Sequence, residues 1–322
     1  MPEWLIERGI GETRALLIEA DRVMAARLHV DGDLVAGSIH RGRLAETAKG
    51  TRRGTVRLAS GHDVLVERVP AGTAHGSALS VLITRAAMAE ATRAKPAQAR
   101  VAAADMPRDD SPVFANLPNA RDVTRFPDGS WEELWTDAAT GQLAFAGGTL
   151  TIEPTAGMTV IDIDGHMPPR TLALAAVPVI AEAVRRFDMG GSLGIDFPTL
   201  AAKSDRKAID TALAEELSDW PHEQTAMNGF GFVQIVARLE RPSLVHRFAY
   251  DPEGMAARFL MRQGERVEGS GPVLELTANP AVAAKLTDAW LTELARRTGR
   301  TVRVAARDTV AITGGHAQIV ER

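Results

Sequence analysis

A strand–helix–strand pattern between Met158 and Leu200 limits what this chain can fold into more than any other feature. Met158-Thr-Val-Ile-Asp-Ile-Asp164 reads as a buried strand, and residues two apart on a strand share a face, so Asp162 and Asp164 point the same way. Leu172, Leu174, Val177, Ile180, Ala181 and Val184 then recur at mostly helical spacing. Arg185 and Arg186 followed by Gly190-Gly191 supply a helix stop. Leu193-Gly-Ile-Asp-Phe197 reads as a second strand and brings Asp196. A βαβ unit sets its two strands parallel, with both carboxyl ends on one edge. Asp162, Asp164 and Asp196 are therefore expected to gather at that edge. Carboxylates placed so either share a hard cation such as Mg²⁺ or Mn²⁺, or cap the turns after their strands.

Three blocks, in this order along the chain, resemble the catalytic core of the ribonuclease E/G family. Ile161-Asp162-Ile163-Asp164 is similar to its I-D-I-N strand end, and Gly190-Gly191-Ser-Leu-Gly-Ile-Asp196-Phe197 to its G-G-L-x-x-I-D-F strand. Gly229-Phe-Gly-Phe-Val-Gln-Ile-Val-Ala-Arg-Leu-Glu-Arg-Pro-Ser-Leu244 is similar to its R-F-G-L-L-E-M-S-R-Q-R-x-x-P-S-L strand. The resemblance implies hydrolysis of phosphodiester bonds in single-stranded RNA, leaving 5′-phosphate ends. It assigns Asp162 and Asp196 to one Mg²⁺ (or Mn²⁺). Asp164 stands where the family has an Asn that positions the attacked phosphate. It adds a negative charge there and becomes a third candidate catalytic and metal-ligating residue.

The implied fold is a multi-subdomain α+β and α/β chain. An RNase H-like sheet is expected from 1–36 and 126–156, and a truncated OB-type RNA-binding segment from 37–86. A linker follows at 87–125, with a short helix over Ala87–Ala94. The DNase I-like, metal-binding catalytic subdomain is expected at 157–246. A small C-terminal α/β domain, which in the family supports dimers, is expected at 247–322. The hairpin around Gly147-Gly148 matches the family's G-G-S-I-V-I hairpin and leads into the aspartate strand. Ser130–Thr136 reads as a short helix, Lys203 to about Leu217 as a longer one, and Ala281 to about Arg297 as another, with Asn279 as its N-cap and Gly299 as its stop.

The chain departs from the family pattern in ways that bear on function. Its middle offers no stretch long enough for a 5′-monophosphate sensor domain, so the expected cleavage is independent of the 5′ end. There are no cysteines, which excludes disulfides and the family's cysteine zinc link. Residues 41–57 carry Arg41, Arg43, Lys49, Arg52, Arg53 and Arg57 against one acid, Glu46; such a cluster either meets a phosphate backbone or forms a solvated loop. No aromatic residue lies between Trp4 and Phe114, so the OB-type segment lacks rings on which bases could stack. The further candidate RNA contacts are His166, Arg170, Lys203, Arg206, Lys207 and Arg238. Residues 215–223 are acidic where the family is basic.

The net charge of −4 announces no global field for nucleic acid. MPEWLIERGIG lacks the apolar core of a signal peptide, and no apolar run reaches membrane-spanning length. A cytoplasmic protein acting on single-stranded RNA, away from membranes, is the resulting expectation. The alternatives are an RNA-binding paralogue with weakened or lost turnover, and a metal phosphoesterase acting on small nucleotides.

Overall fold

The computed structural model describes residues 1–90, 93–103, 113–114 and 116–321. The chain is mixed α+β, with a closed five-stranded barrel and several sheets. It divides into two compact units: residues 1–31, 117–135 and 247–322 form one, and 32–116 with 136–246 form the other.

In the first unit, Glu3–Arg8, Glu12–Glu19 and Arg22–Val30 form an antiparallel meander, joined on one edge by Ala120–Val123 running parallel to the first strand. A second sheet has Val273–Ala278 at its centre, with Thr301–Ala306 parallel and His316–Val320 antiparallel to it. The unit buries charge as well as hydrocarbon. The carboxylate of Glu7 takes hydrogen bonds from Arg14, Arg262, Arg266 and the Phe126 backbone N–H. Buried charges survive only when paired in this way.

The second unit holds the barrel and a six-stranded sheet. Around the barrel the strands run Ala97–Val101, Asp63–Glu67, Gly54–Leu58, Ile39–Thr47 and Ala78–Arg85, and the last closes onto the first. Leu44, Val56, Val64, Val66, Val81 and Ile83 alternate inward and fill the interior, the period of two that a barrel wall demands. The sheet has the order Gln142–Phe145, Gly148–Pro154, Thr159–Gly165, Gly191–Asp196, Phe232–Ala237, His222–Gln224. Helices Pro169–Arg186 and Lys203–Glu216 follow its two aspartate strands. On one face of the sheet Leu150, Ile152, Ile161, Ile163, Leu193, Ile195, Val233 and Ile235 are buried; the other face is polar.

Several expectations are corrected. The barrel is closed and extends past the segment expected at 37–86: Ala97–Val101, expected as linker, supplies a fifth strand parallel to Asp63–Glu67. Its inward residues are Ala97 and Ala99, too small to announce a strand by hydrophobic pattern. Ala87–Ala94 is not a helix. Met88–Ala89 pairs with Ala94–Lys95 in a two-stranded ladder, residues 91–92 lying outside the described residues; a segment of eight residues is too short to hold a helix on propensity alone. Residues 104–112 and 115 of the former linker also lie outside the description. The helix expected over Ala281–Arg297 is two, Pro280–Ala283 and Asp288–Thr298, because the Thr287 side chain caps a new start at Trp290 N–H. The helix at Ser130 runs on to Thr140. The hairpin Gln142–Pro154 carries the aspartate sheet back across the boundary drawn at 156/157. Helices Leu244–Tyr250 and Pro252–Arg266 were not anticipated.

Candidate active site

The candidate site lies where two parallel strands end. Thr159–Gly165 and Gly191–Asp196 are in register such that Asp162 is paired with Asp196. Adjacent strands lie about 4.8 Å apart, so paired residues put their carboxylates on one face within reach of a common ion. Asp164 stands two residues further along the same face. All three side chains are exposed. The opposite face of the same strands is occupied by Ile161, Ile163 and Ile195, each nearly inaccessible to water. That apolar face fixes the register, because a slip of one residue would turn the isoleucines to water and the aspartates into the core.

Electrostatics report the crowding. Partial burial, then the charge of Asp164, then those of Asp196 and Glu153 push the Asp162 carboxyl above its ordinary value, against a backbone N–H at Ile163 that pulls it down. Glu153 belongs to the same face: Thr151 is the cross-strand partner of Asp162, and Glu153 stands two residues away. The face continues as Ser192 and Gln234, joined by a hydrogen bond of 3.2 Å, and as Phe232, the partner of Asp196. The Phe232 ring lies across Gly194, where an added Cβ would come within 2.6 Å of its Cζ.

Both helices that follow the aspartate strands begin at this carboxyl edge. Arg170 and Asp205, in their first turns, form an ion pair of 3.2 Å. Arg206 is committed to structure, donating to the carbonyls of Leu200 and Ala201. Lys203 and Lys207 are exposed on the second helix. His166 is exposed beyond Asp164, its backbone N–H donating to Gly147 O. Arg238 is not brought to this edge: it follows Ala237, the partner of Gly191 at the opposite end of the strand from Asp196, and pairs with Glu240 at 3.2 Å.

Among the described residues, no three His, Asp or Glu side chains form a ready metal cage. The register pair Asp162–Asp196 is a two-carboxylate site. That fits Mg²⁺, which keeps several waters and commonly takes only one or two carboxylates from the protein. The hard oxygen donors and the raised Asp162 carboxyl both suit a divalent cation.

The basic cluster of the sequence divides once folded. Arg57 forms a forked pair with Asp63, at 2.8 and 2.6 Å. Arg53 pairs with Glu67 at 3.3 Å, and Arg52 donates to the Val69 carbonyl. Arg41 and Arg43, two apart, share the outer face of one barrel strand, both exposed, with Arg43 also donating to Gly76 O. The sequence missed Glu153 and Phe232 as neighbours of the aspartates. The register of the hairpin was the missing information, since only it tells which residues oppose Asp162 and Asp196. A scan of the sequence finds no matching protein family.

Proposed function

We propose that the chain is a divalent-metal-dependent endoribonuclease, hydrolysing phosphodiester bonds in single-stranded RNA to leave 5′-phosphate ends, as its resemblance to ribonuclease E/G implies. The observation that carries the reading is the register pair of Asp162 and Asp196 on parallel strands, with Asp164 on the same face. The barrel adds support. Numbered along the chain, its strands run 1-2-3-5-4-1, with the third and fifth parallel. That is the connectivity of an OB-type fold, a common binder of oligonucleotides. Arg41 and Arg43 on its outer face suit a phosphate backbone.

Asp162 and Asp196 would hold the cation, with Asp164 beside it on the same face. A bound Mg²⁺ supplies Lewis-acid polarisation of a phosphoryl oxygen and a more acidic bound water. Asp164 would accept a hydrogen bond from the attacking water and take up its proton as the water oxygen bonds to phosphorus; the bond from phosphorus to the 3′ oxygen breaks, and that oxygen leaves as a hydroxyl with a proton from solvent. Lys203 and Lys207 offset phosphate charge at the same edge. The protein needs no sensor of the RNA 5′ end.

The test is cleavage of a labelled single-stranded RNA in Mg²⁺ or Mn²⁺ by the wild type, Asp162→Asn and Asp196→Asn, with folding checked by circular dichroism. Cleavage lost in both variants supports the reading. Equal activity in all three sinks it. A second reading, an RNA-binding paralogue without turnover, is favoured by the acidic run Glu215, Glu216, Asp219 and Glu223 and by the internal pairing of Arg53, Arg57 and Arg238. Metal-independent RNA binding with no cleavage by wild type would select it.

A further inference from the structure

Of the aromatic side chains in the described residues, all but one are buried or half-buried; Phe230 is 83% exposed. A phenyl ring left in water forfeits the free energy of burial, and slack backbone does not account for it. The turn that presents the ring is braced on every side. The Asn228 side-chain oxygen accepts from the Phe230 N–H at 2.8 Å and the Phe232 N–H at 3.1 Å. Gly231 N–H donates to Asn228 O, and the Thr199 hydroxyl donates to Phe230 O at 3.3 Å. Gly231 has φ +95°, and a Cβ there would come within 2.3 Å of Phe197 O, so this turn accepts only glycine without a shift.

These contacts seat the turn on Phe197–Thr199, the residues that directly follow Asp196. Phe232 is the cross-strand partner of Asp196, and Val236, 49% exposed, continues its strand face. An exposed ring thus stands on the turn that leads into Phe232, the residue paired with Asp196. The barrel contributes no competing ring, because the sequence holds no aromatic between Trp4 and Phe114.

We infer that Phe230 is a base-stacking platform, positioning an unpaired nucleobase of the RNA next to the phosphate held at Asp162 and Asp196. The inference rests on the nuclease reading above and adds to it where the substrate is gripped. Stacking of this kind tolerates any base, since every base has a π-face, and it demands that the base be unpaired.

The test compares the full-length wild type, Phe230→Ala and Phe230→Trp. Each is titrated into a fluorescein-labelled oligo(A) and into the same oligomer with its bases replaced by abasic sites, in Ca²⁺, with the RNA checked for integrity. The expected result is a loss of affinity of about 5- to 150-fold for oligo(A) in Phe230→Ala, the range for one stacked base. Binding of the abasic oligomer stays unchanged, and Phe230→Trp restores the oligo(A) affinity. Equal binding of both oligomers by wild type, or identical affinities for wild type and Phe230→Ala, overturns the inference. So does a dimer by sedimentation that Phe230→Ala converts to monomer with RNA affinity untouched, which would give the ring to a second copy of the chain. The two proposals separate cleanly. A wild type that stacks RNA through Phe230 and leaves it uncut in Mg²⁺ and Mn²⁺ sinks only the hydrolase. One that cuts RNA and is indifferent to Phe230→Ala sinks only the platform.

Discussion

At the scale of single residues, two carboxylates stand in opposite situations. Asp162 is crowded by Asp164, Asp196 and Glu153, and its carboxyl is raised. The folded chain therefore holds a proton there at pH values where the unfolded chain has lost it. In that window, from the ordinary aspartate value up to the raised one, stability falls as pH rises, and it stays at the lower level above the window. Without metal at neutral pH, Asp162→Asn is expected to leave the melting temperature unchanged or raise it. Wild type gains about 2.7 kcal/mol when the cation is 100-fold above its Kd, and Asp162→Asn gains none. Thermal melts with and without Mn²⁺ measure both, and an apo variant that melts well below wild type would contradict the crowding. Glu7 is surrounded by cations instead. It is shared by Arg14 and Arg262, which are 0% and 1% exposed as side chains, and by Arg266. For Arg14, burial lowers the pKa, yet Glu12 and Glu7 outweigh it and hold the guanidinium charged. Removing one partner from a buried pair costs about 3–5 kcal/mol. Glu7→Gln should lower the unfolding free energy by that amount in a urea titration; a shift below 1 kcal/mol would show the cluster to be loosely held.

At the scale of elements, legibility followed side-chain size and spacing. The aspartate strand and its helix were readable because Ile161, Ile163 and the apolar stripe from Leu172 to Val184 carry unmistakable periods. That Asp162 and Asp196 gather at one edge followed from the parallel strands of a βαβ unit; that they pair directly is set by the register. Glu153 and Phe232 were not readable as neighbours, because cross-strand pairing depends on register between segments far apart in sequence. Helix Pro252–Arg266 hid because its buried side includes Arg262 and Gly264 beside Leu260 and Met261, so its apolar face looks interrupted until Glu7 is in place. The closing strand Ala97–Val101 hid because Ala97 and Ala99, each 2% exposed, show no hydrophobic contrast. Their smallness is a packing requirement and can be tested. Overpacking a full core costs about 1–3 kcal/mol, so Ala99→Leu should destabilise the chain by that amount, read as a lower denaturation midpoint. A silent substitution would return this segment to the status of a linker.

At the scale of the whole molecule, the question is how a chain of net charge −4 would hold a polyanion. The answer lies in which cations the fold leaves uncommitted. Folding ties Arg57 to Asp63 and Arg53 to Glu67, and Arg206 to backbone carbonyls. These groups serve the protein first. Arg41 and Arg43 share one exposed barrel face, Arg43 giving one N–H to Gly76 O, and Lys203 and Lys207 stand one turn apart at the carboxylate edge. Few phosphates of a bound RNA would therefore be neutralised, and the affinity should fall only gently with salt. For single strands, the slope of log K against log[salt] is about −0.7 per phosphate contact. Wild type is expected to show a slope of roughly −2 to −3, corresponding to about three or four such contacts. Arg41→Ala with Arg43→Ala should make that slope shallower by about 1.4, at two contacts removed. Arg53→Ala should change it little, since its charge is already met by Glu67. Fluorescence titrations of a labelled oligoribonucleotide from 50 to about 300 mM KCl, a range over which screening lengths shrink toward contact distances, give all three slopes. If Arg53→Ala flattens the slope as much as the double variant does, the surface pairs open on binding, and the whole basic segment 41–57 meets the RNA. If the double variant keeps the wild-type slope, the barrel face is not the electrostatic footprint, and the RNA is held by the lysines at the carboxylate edge alone.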